Sequence, residues 1–329
     1  MVDKGENLNI LVTGGAGYIG SVLTQMLLNK NHHVRVLDSL MYGGESLLPV
    51  WSHKNFEFIH GDVCSEEDSD KAARDMDCVV HLASIVGDPA CKRKPDLARQ
   101  INLDGSINML QQAKKNRVRK FVFSSTCSNY GKMADPEQPL DENSPISPLS
   151  LYAETKVAFE KVILDPAQTQ GICTTSLRFA TVYGVSPRMR FDLTVNEFTL
   201  EIVKNKYLKV YGEQFWRPYA HLRDICKAIM LVIDAPDEVV CNNMFNVGAS
   251  DQNFQKQQLI EKILPYREDA LIDYVKITED PRDYRVSFEK IARLLGFKND
   301  YVVDDGIREV VNLIASNPSF DFFRQAYRN

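Results

Sequence analysis

The feature that most restricts this chain is a glycine-spaced turn held between an apolar run and an apolar helix pattern. Leu8-Asn9-Ile10-Leu11-Val12 leads into Thr13-Gly14-Gly15-Ala16-Gly17-Tyr18-Ile19-Gly20, a G-x-x-G-x-x-G spacing. Glycines at a strand-to-helix turn let the backbone approach a diphosphate, whose charge then sits among the free N–H groups of the helix N-terminus. Such a turn can also serve plain packing. Here the context fits a dinucleotide: a strand before, a helix after, and Asp38 closing the second apolar run, 21 residues beyond Gly17. A carboxylate there accepts both ribose hydroxyls of NAD and repels the additional phosphate of NADP. No Arg or Lys occupies Ser39, Leu40 or Met41, so NAD is expected.

The pattern continues as short apolar runs alternating with amphipathic stretches. Strands are expected at residues 8–12, 34–37, 56–59, 78–82 and 121–123, and helices at 17–29, 66–74, 96–115 and 151–164. Buried strands joined by crossover helices make a Rossmann-type, doubly wound parallel sheet of the α/β class. Beyond about residue 180 short strands, at 208–211, 244–247 and 271–275, and helices are separated by polar, proline-containing loops. That reads as a smaller C-terminal α/β substrate-binding region. Residues 1–180 are therefore assigned to a cofactor-binding domain and 181–329 to a substrate-binding region, with some chain crossing back to the first sheet.

Composition narrows the partners. With 329 residues and a net charge of −5, the chain can bury a large core without a metal or disulfide, and its charge balance argues against nucleic acid. The basic stretches Lys92-Arg93-Lys94 and Lys114 to Lys120 lie near expected helix ends and read as solvated surface. Seven cysteines are scattered, odd in number and free of any Cys-x-x-Cys pair, which points to reduced thiols and a cytoplasmic location. No apolar run approaches a membrane span. His81, at the end of a buried run, reads as a satisfied core histidine.

Tyr152-Ala153-Glu154-Thr155-Lys156 opens a helix, so the tyrosine and lysine stand one turn apart on one face. A free phenol has a pKa of about 10, and lowering it to near 7 takes roughly 4 kcal/mol of preferential phenolate stabilisation. An ammonium at about 4 Å supplies an energy of that order, and an oxidised nicotinamide adds a second positive charge.

With the glycine turn, Gly61-Asp62-Val63, His81-Leu82-Ala83-Ser84, Asn102-Leu103-Asp104-Gly105, Phe123-Ser124-Ser125-Thr126, the Tyr152/Lys156 pair, Leu177-Arg178-Phe179 and Arg217-Pro218-Tyr219-Ala220-His221-Leu222-Arg223-Asp224, the chain resembles the extended short-chain dehydrogenase/reductase family over nearly its whole length. It is most similar there to the NAD-dependent nucleotide-sugar epimerases and dehydratases. The resemblance implies that Asp62 and Val63 flank the adenine and that Ala83 and Ser84 approach the pyrophosphate and ribose. Gly14, Gly17, Tyr18, Ile19, Asp38, Ser39, Leu40, Leu82, Asn102 and Ser124 complete the implied cofactor contacts, with Phe179 and Val182 at the nicotinamide. Thr126 steadies the substrate oxygen, Tyr152 is the base, and Lys156 is its electrostatic partner and a contact to the cofactor.

In the family's sugar 4,6-dehydratases an Asp and a Glu follow the position of Thr126. This chain has Cys127 and Ser128, so that elimination lacks its acid and base. Oxidation at sugar carbon 4 remains equipped. A 4-epimerase, which returns hydride to the other face of the ketosugar, is placed first. A 4-dehydrogenase that releases the ketone, a 3- or 5-epimerase using the Cys127 thiol, and a catalytically silent NAD-binding regulator stay open. For the diphosphate of a nucleotide-sugar substrate the forked donors of Arg217, Arg282 and Arg190 are the candidates, with Thr181 and Ser128 beside the sugar. Arg188 and Arg285 are divided between that role and surface ion pairs. No metal ligand set is expected. The resemblance further implies a homodimer formed by helices 96–115 and 151–164, with Leu97, Ile101, Ile107, Leu110 and Val157 as candidates for the shared face.

Overall fold

The computed structural model describes residues 7–133, 135, 138–276 and 283–329. The first half is a series of strand–helix units: β1 (Asn9–Thr13), α1 (Tyr18–Asn29), β2 (His33–Asp38), β3 (Phe56–His60), α2 (Glu66–Ala73), β4 (Cys78–His81), α3 (Asp88–Arg93), α4 (Pro95–Arg99), α5 (Gly105–Lys115), β5 (Lys120–Thr126), α6 (Leu151–Ile163) and β6 (Cys173–Phe179). The second half adds β7 (Thr181–Tyr183), α7 (Thr194–Leu200), β8 (Tyr207–Tyr211), β9 (Trp216–His221), α8 (Leu222–Asp234), α9 (Asp237–Val240), β10 (Asn243–Val247), β11 (Asn253–Gln255), α10 (Lys256–Ile263), β12 (Leu271–Val275), α11 (Glu289–Leu295) and α12 (Val303–Ser316).

Seven strands form one sheet in the order β10-β6-β5-β4-β1-β2-β3, so the Rossmann-type expectation holds. The pairs around β1 are parallel. Both faces of these central strands are covered, which is why they read as unbroken apolar runs: Ile10, Leu11, Val12, Val79 and Val80 have no exposed surface. On one face Leu11, Val79, Phe121 and Phe123 pack with Met109, Ala113 and Phe159 in a continuous cluster. The chain leaves β1 for β2 on one side and pairs β1 with β4 on the other. In open α/β sheets ligands bind at such a reversal, outside the carboxyl ends of the strands, here those of β1 and β4. Smaller sheets, β11-β9-β7 and β12-β8, occupy the second half.

Three expectations need correction. The helix expected at 96–115 is interrupted: α4 passes through a π turn at Gln100–Asp104 before α5 begins. Gly105 follows the turn, where a Cβ would stand 3.0 Å from Cys64 Sγ and Val63 Cγ2, so the chain must pass close to the 63–64 loop. Second, the cysteines are not all reduced. Cys173 at the head of β6 and Cys241 just before β10 are bridged, while Cys64, Cys78, Cys91, Cys127 and Cys226 are free thiols. β6 and β10 are sheet neighbours, but their cysteines lie 68 positions apart, and no local spacing could announce the pair. These two sulfurs, with Asp237, also make up the one grouping of potential metal-ligand atoms found among the described residues. Third, Lys120 is not solvated. Only 2% exposed, it donates to the carbonyls of Val232, Ile233 and Ala235 and pairs with Asp237. Its ammonium thus meets the partial negative charge at the C-terminus of α8.

The chain forms two compact units, each built from three segments. The first comprises Met1–Thr126, Ser150–Arg178 and Cys226–Phe245; the second comprises Cys127–Leu149, Phe179–Ile225 and Asn246–Asn329. No helix among the described residues is long and apolar enough to cross a membrane.

Candidate active site

In the first unit, β1 ends at Thr13 and the chain turns at Gly14 with φ +73°, a left-handed conformation that favours glycine. A Cβ at Gly14 would stand 2.8 Å from the backbone nitrogen of Ala83, so the ends of β1 and β4 approach as closely as backbones can. Helix α1 starts from Gly17 with no side-chain cap and no acidic residue in its first turn. Helix α2, by contrast, is capped by Ser65 and opens with Glu66, Glu67 and Asp68. An uncapped N-terminus of a twelve-residue helix behind a glycine cradle fits the diphosphate of a dinucleotide. Tyr18 is buried and Ile19 half-buried in the first turn of this helix.

The Asp38 carboxylate receives the Ala16 N–H at 3.0 Å and the Leu40 N–H at 2.8 Å, one on each oxygen. It thereby ties the glycine turn to the loop after β2, and each oxygen keeps a further lone pair. Burial raises its pKa, and the two backbone donors act against that. Beside it, the Ser39 carbonyl faces His60 Nε2 at 3.3 Å. Asp62 accepts the Cys64 N–H at 2.9 Å, and Val63 is buried beneath it.

A chain of hydrogen bonds fixes the end of β4. Ser106 Oγ gives its proton to the Asn102 carbonyl at 2.8 Å, so His81 Nε2–H donates to Ser106 and His81 Nδ1 accepts from Thr13 Oγ1, also at 2.8 Å. The Ala83 N–H reaches Thr13 Oγ1 at 3.3 Å, and Leu82 donates to the Thr13 carbonyl. Burial above all, and the Lys156 charge next, lower the His81 pKa to about 3; it is a neutral core histidine that aligns two strand ends. Asn102 sits on the π turn, 1% exposed. Its Oδ1 accepts from Ser84 Oγ and the Ile85 N–H, and its Nδ2 donates to the Ile85 carbonyl and Thr155 Oγ1. The residue clamps the 84–85 turn. Ser124 Oγ is likewise engaged, donating to the His81 carbonyl.

Ser150 caps α6 by accepting the Ala153 N–H, and this sets Tyr152 and Lys156 one turn apart. Lys156 is 2% exposed; its Nζ lies 5.8 Å from the Tyr152 ring centre and 4.7 Å from that of Phe123. Burial lowers its pKa to about 7. Thr126 ends β5, 8% exposed. Tyr152, Lys156 and Thr126 all belong to the first unit.

In the second unit, the turn Cys127–Tyr130 carries Cys127, 1% exposed, and Ser128, whose Oγ accepts from Tyr284 OH at 3.4 Å. Phe179 is buried, while Thr181 and Val182 on β7 are half-buried, Thr181 facing Tyr219 of β9 in register. Arg217 lays its guanidinium over the Tyr284 ring at 5.3 Å and donates to the Trp216 carbonyl. Arg190 is committed to Asp192 through two hydrogen bonds, of 3.1 and 2.8 Å. Burial works to raise the Asp192 pKa, but the Arg190 bonds and charge outweigh it and hold the carboxyl low. Arg188 is buried, 6% exposed, and donates to the Arg328 carbonyl, so its surface reading fails; Arg285 covers the Trp216 ring at 5.3 Å. Arg282 lies outside the described residues.

Sequence reasoning missed Tyr219. It is wholly buried, and its hydroxyl has no hydrogen-bond partner among the described residues. The signal was its place two residues after Arg217, in a motif read only for its arginine.

The pattern of the family described as "NAD dependent epimerase/dehydratase family" matches residues 10–248. The chain is 29% identical over 318 residues to a putative UDP-glucose 4-epimerase of Methanocaldococcus jannaschii, covering 94% of this chain and 99% of that one. It is 30% identical over 324 residues to a dTDP-glucose 4,6-dehydratase of Streptomyces niveus, covering 94% of each. Among solved structures, the UDP-glucose 4-epimerase of Thermotoga maritima with UDP-glucose superposes with a TM-score of 0.85 at 26% identity, over 95% of this chain and all of that one.

Proposed function

We propose that this chain, which belongs to the NAD dependent epimerase/dehydratase family, is a nucleotide-diphosphate-sugar 4-epimerase that works by transient oxidation at sugar carbon 4. The observation that carries this reading is the loop after β5. Thr126 is followed by Cys127 and Ser128, so the turn offers no carboxyl pair for dehydration, while Tyr152 and Lys156 stand one turn apart on α6.

The glycine turn, Asp38, Asp62 and residues 82–84 would hold NAD, which when bound would supply the hydride acceptor for carbon 4. This chain's own residues handle the proton. Tyr152 removes the carbon-4 hydroxyl proton, Thr126 hydrogen-bonds the same oxygen, and the buried Lys156 charge stabilises the phenolate. Loss of that proton and a hydride leaves a ketone; rotation of the ketosugar and reversal of both transfers give the epimer. For the nucleotide diphosphate we take Arg217, whose guanidinium lies over the Tyr284 ring, as the first candidate cation. Arg190 already spends its fork on Asp192, which makes it the weaker candidate. Asp38 makes the nucleotide NAD rather than NADP. We extend the reading to a homodimer through α4, α5 and α6, where Leu97, Ile101 and Ile107 are half-buried. Leu110 and Val157 are already buried within the chain.

The test is incubation with UDP-, GDP-, dTDP- and CDP-sugars, following configuration at carbon 4 and NAD released on denaturation. Interconversion of 4-epimers with no net NADH supports the reading. Stoichiometric NADH with a free ketone would assign a 4-dehydrogenase, and solvent deuterium at carbon 3 or 5 would assign the thiol chemistry.

A further inference from the structure

Lys156 is a buried cation without a buried anion. Among the described residues it makes no ion pair with a carboxylate, although its side chain is 2% exposed. The titratable groups that face it are Tyr152 on its own helix, His81 from β4 and Cys91 from α3. His81 is held neutral, and burial pushes the Cys91 thiol up to about 11. What the ammonium does have is a ring: Nζ lies 4.7 Å from the centre of Phe123.

Phe123 is itself fixed. It has no exposed surface, Phe159 meets it edge-on at 4.8 Å and 76°, and His81 lies near-parallel at 6.2 Å and 22°. The face of an aromatic ring carries the negative lobe of its quadrupole and attracts a cation most strongly where water is excluded. The distinction from a carboxylate matters for what Lys156 is asked to do. A carboxylate would hold the ammonium and cancel its field at the neighbouring phenol. A ring holds it and leaves the full positive charge.

We propose that Phe123 is a positioning residue of this site, its ring face standing where a counter-ion would otherwise be needed, so that the buried Lys156 keeps a larger share of its charge beside Tyr152 than burial alone would leave it. The inference rests on the reading of Lys156 as the electrostatic partner of Tyr152. It predicts that the ring, and not the apolar volume alone, governs the charge state of the lysine.

The experiment is the titration of Lys156 by carbon-13 NMR in protein labelled at lysine Cε, the resonance being assigned by its loss in Lys156→Met. Phe123→Leu keeps an apolar side chain and removes the ring; Phe123→Tyr keeps the ring. The expected result is a midpoint lowered by about 0.5 to 1.5 pH units in Phe123→Leu and held within about 0.3 unit of the parent in Phe123→Tyr. If Phe123→Leu does not fold, Phe123→Met takes its place. An unchanged or raised midpoint in the ring-less variant overturns the proposal, as does a fall of equal size in Phe123→Tyr. Turnover of nucleotide sugars is measured on the same samples. Titrations that move as expected in a protein that turns over no nucleotide sugar would refute the proposed function and leave this inference standing.

Discussion

Helix α6, which carries Tyr152 and Lys156, is fastened to β6 by a buried ion pair. Glu160 and Arg178 are each 3% exposed; both carboxylate oxygens accept from Arg178 Nε at 3.1 Å, one of them also from its terminal nitrogen, and Ser176 Oγ donates to Glu160 at 2.8 Å. Arg178→Met removes one partner and leaves a carboxylate in a dry site. Breaking a buried pair in this way costs about 3–5 kcal/mol, whereas replacing both partners by apolar groups is often nearly neutral. For a chain of 329 residues the unfolding entropy is roughly 0.7 kcal/mol/K, so the single change should lower Tm by about 4–7 °C. Glu160→Leu combined with Arg178→Met should return to within about 2 °C of the parent. A proton relieves the stranded carboxylate, so the single variant should be less impaired at pH 5 than at pH 8. Thermal unfolding followed by circular dichroism at both pH values measures all of this. A double variant as unstable as the two single losses added together would refute the reasoning, because the pair would then be stabilising in its own right.

Other outcomes follow from the site. Lys156 has its pKa lowered from 10.5 to about 7 on folding, so the unfolded chain binds more protons between those values and the burden of burying the ammonium is fully present below pH 7 and fades towards pH 10.5. Lys156→Met should therefore raise Tm most at pH 7 and below, with the gain shrinking as pH rises, while turnover and NAD binding fall; Tm scans across this range check the sign. Tyr152→Phe should leave folding and NAD binding intact and reduce turnover by roughly two to four orders of magnitude, and near-parental turnover would displace the site from α6. NAD should bind at least about tenfold more tightly than NADP, a difference of about 1.4 kcal/mol measurable by calorimetry, and Asp38→Ala should narrow it. Sedimentation at micromolar protein should give twice the chain mass; a monomer would remove the dimer from the proposal.

Where β-strands are buried on both faces by apolar side chains, as β1, β4 and β5 are, the letters alone locate them; the edge strand β3 and its neighbour β2 are less buried, yet all five match their expected runs within three residues at either end. β6 escaped because Thr174, Thr175 and Ser176 look like loop residues. They are buried in the strand, with their hydroxyls taken up by the Ile163 carbonyl, the Val240 carbonyl and Glu160. β9 was obscured by Arg217 and Pro218, polar and strand-breaking in isolation yet buried here. In the site, the spacing of Tyr152 and Lys156 was readable because one helical turn is a local quantity. The Phe123 face was not, since its meeting with Lys156 depends on how α6 settles over β5. The same limit applies to Arg190, whose charge is answered by Asp192 two residues away, a pairing that only the loop conformation decides.

Lys120 has an implication for the order in which the molecule can be made. The carbonyls that receive its ammonium lie more than 110 positions further along the chain, at Val232, Ile233 and Ala235. While the chain is emerging from a ribosome, β5 must wait with a bare ammonium at its first residue until that later stretch arrives. The strand that ends in Thr126 therefore cannot be sealed early, however complete the preceding strands are. A gene fragment stopping at residue 180 would contain the glycine turn, Tyr152 and Lys156, and would still lack what closes the sheet around them. Limited proteolysis of stalled nascent chains should show protection of β5 only once Val232 to Ala235 have emerged from the ribosome.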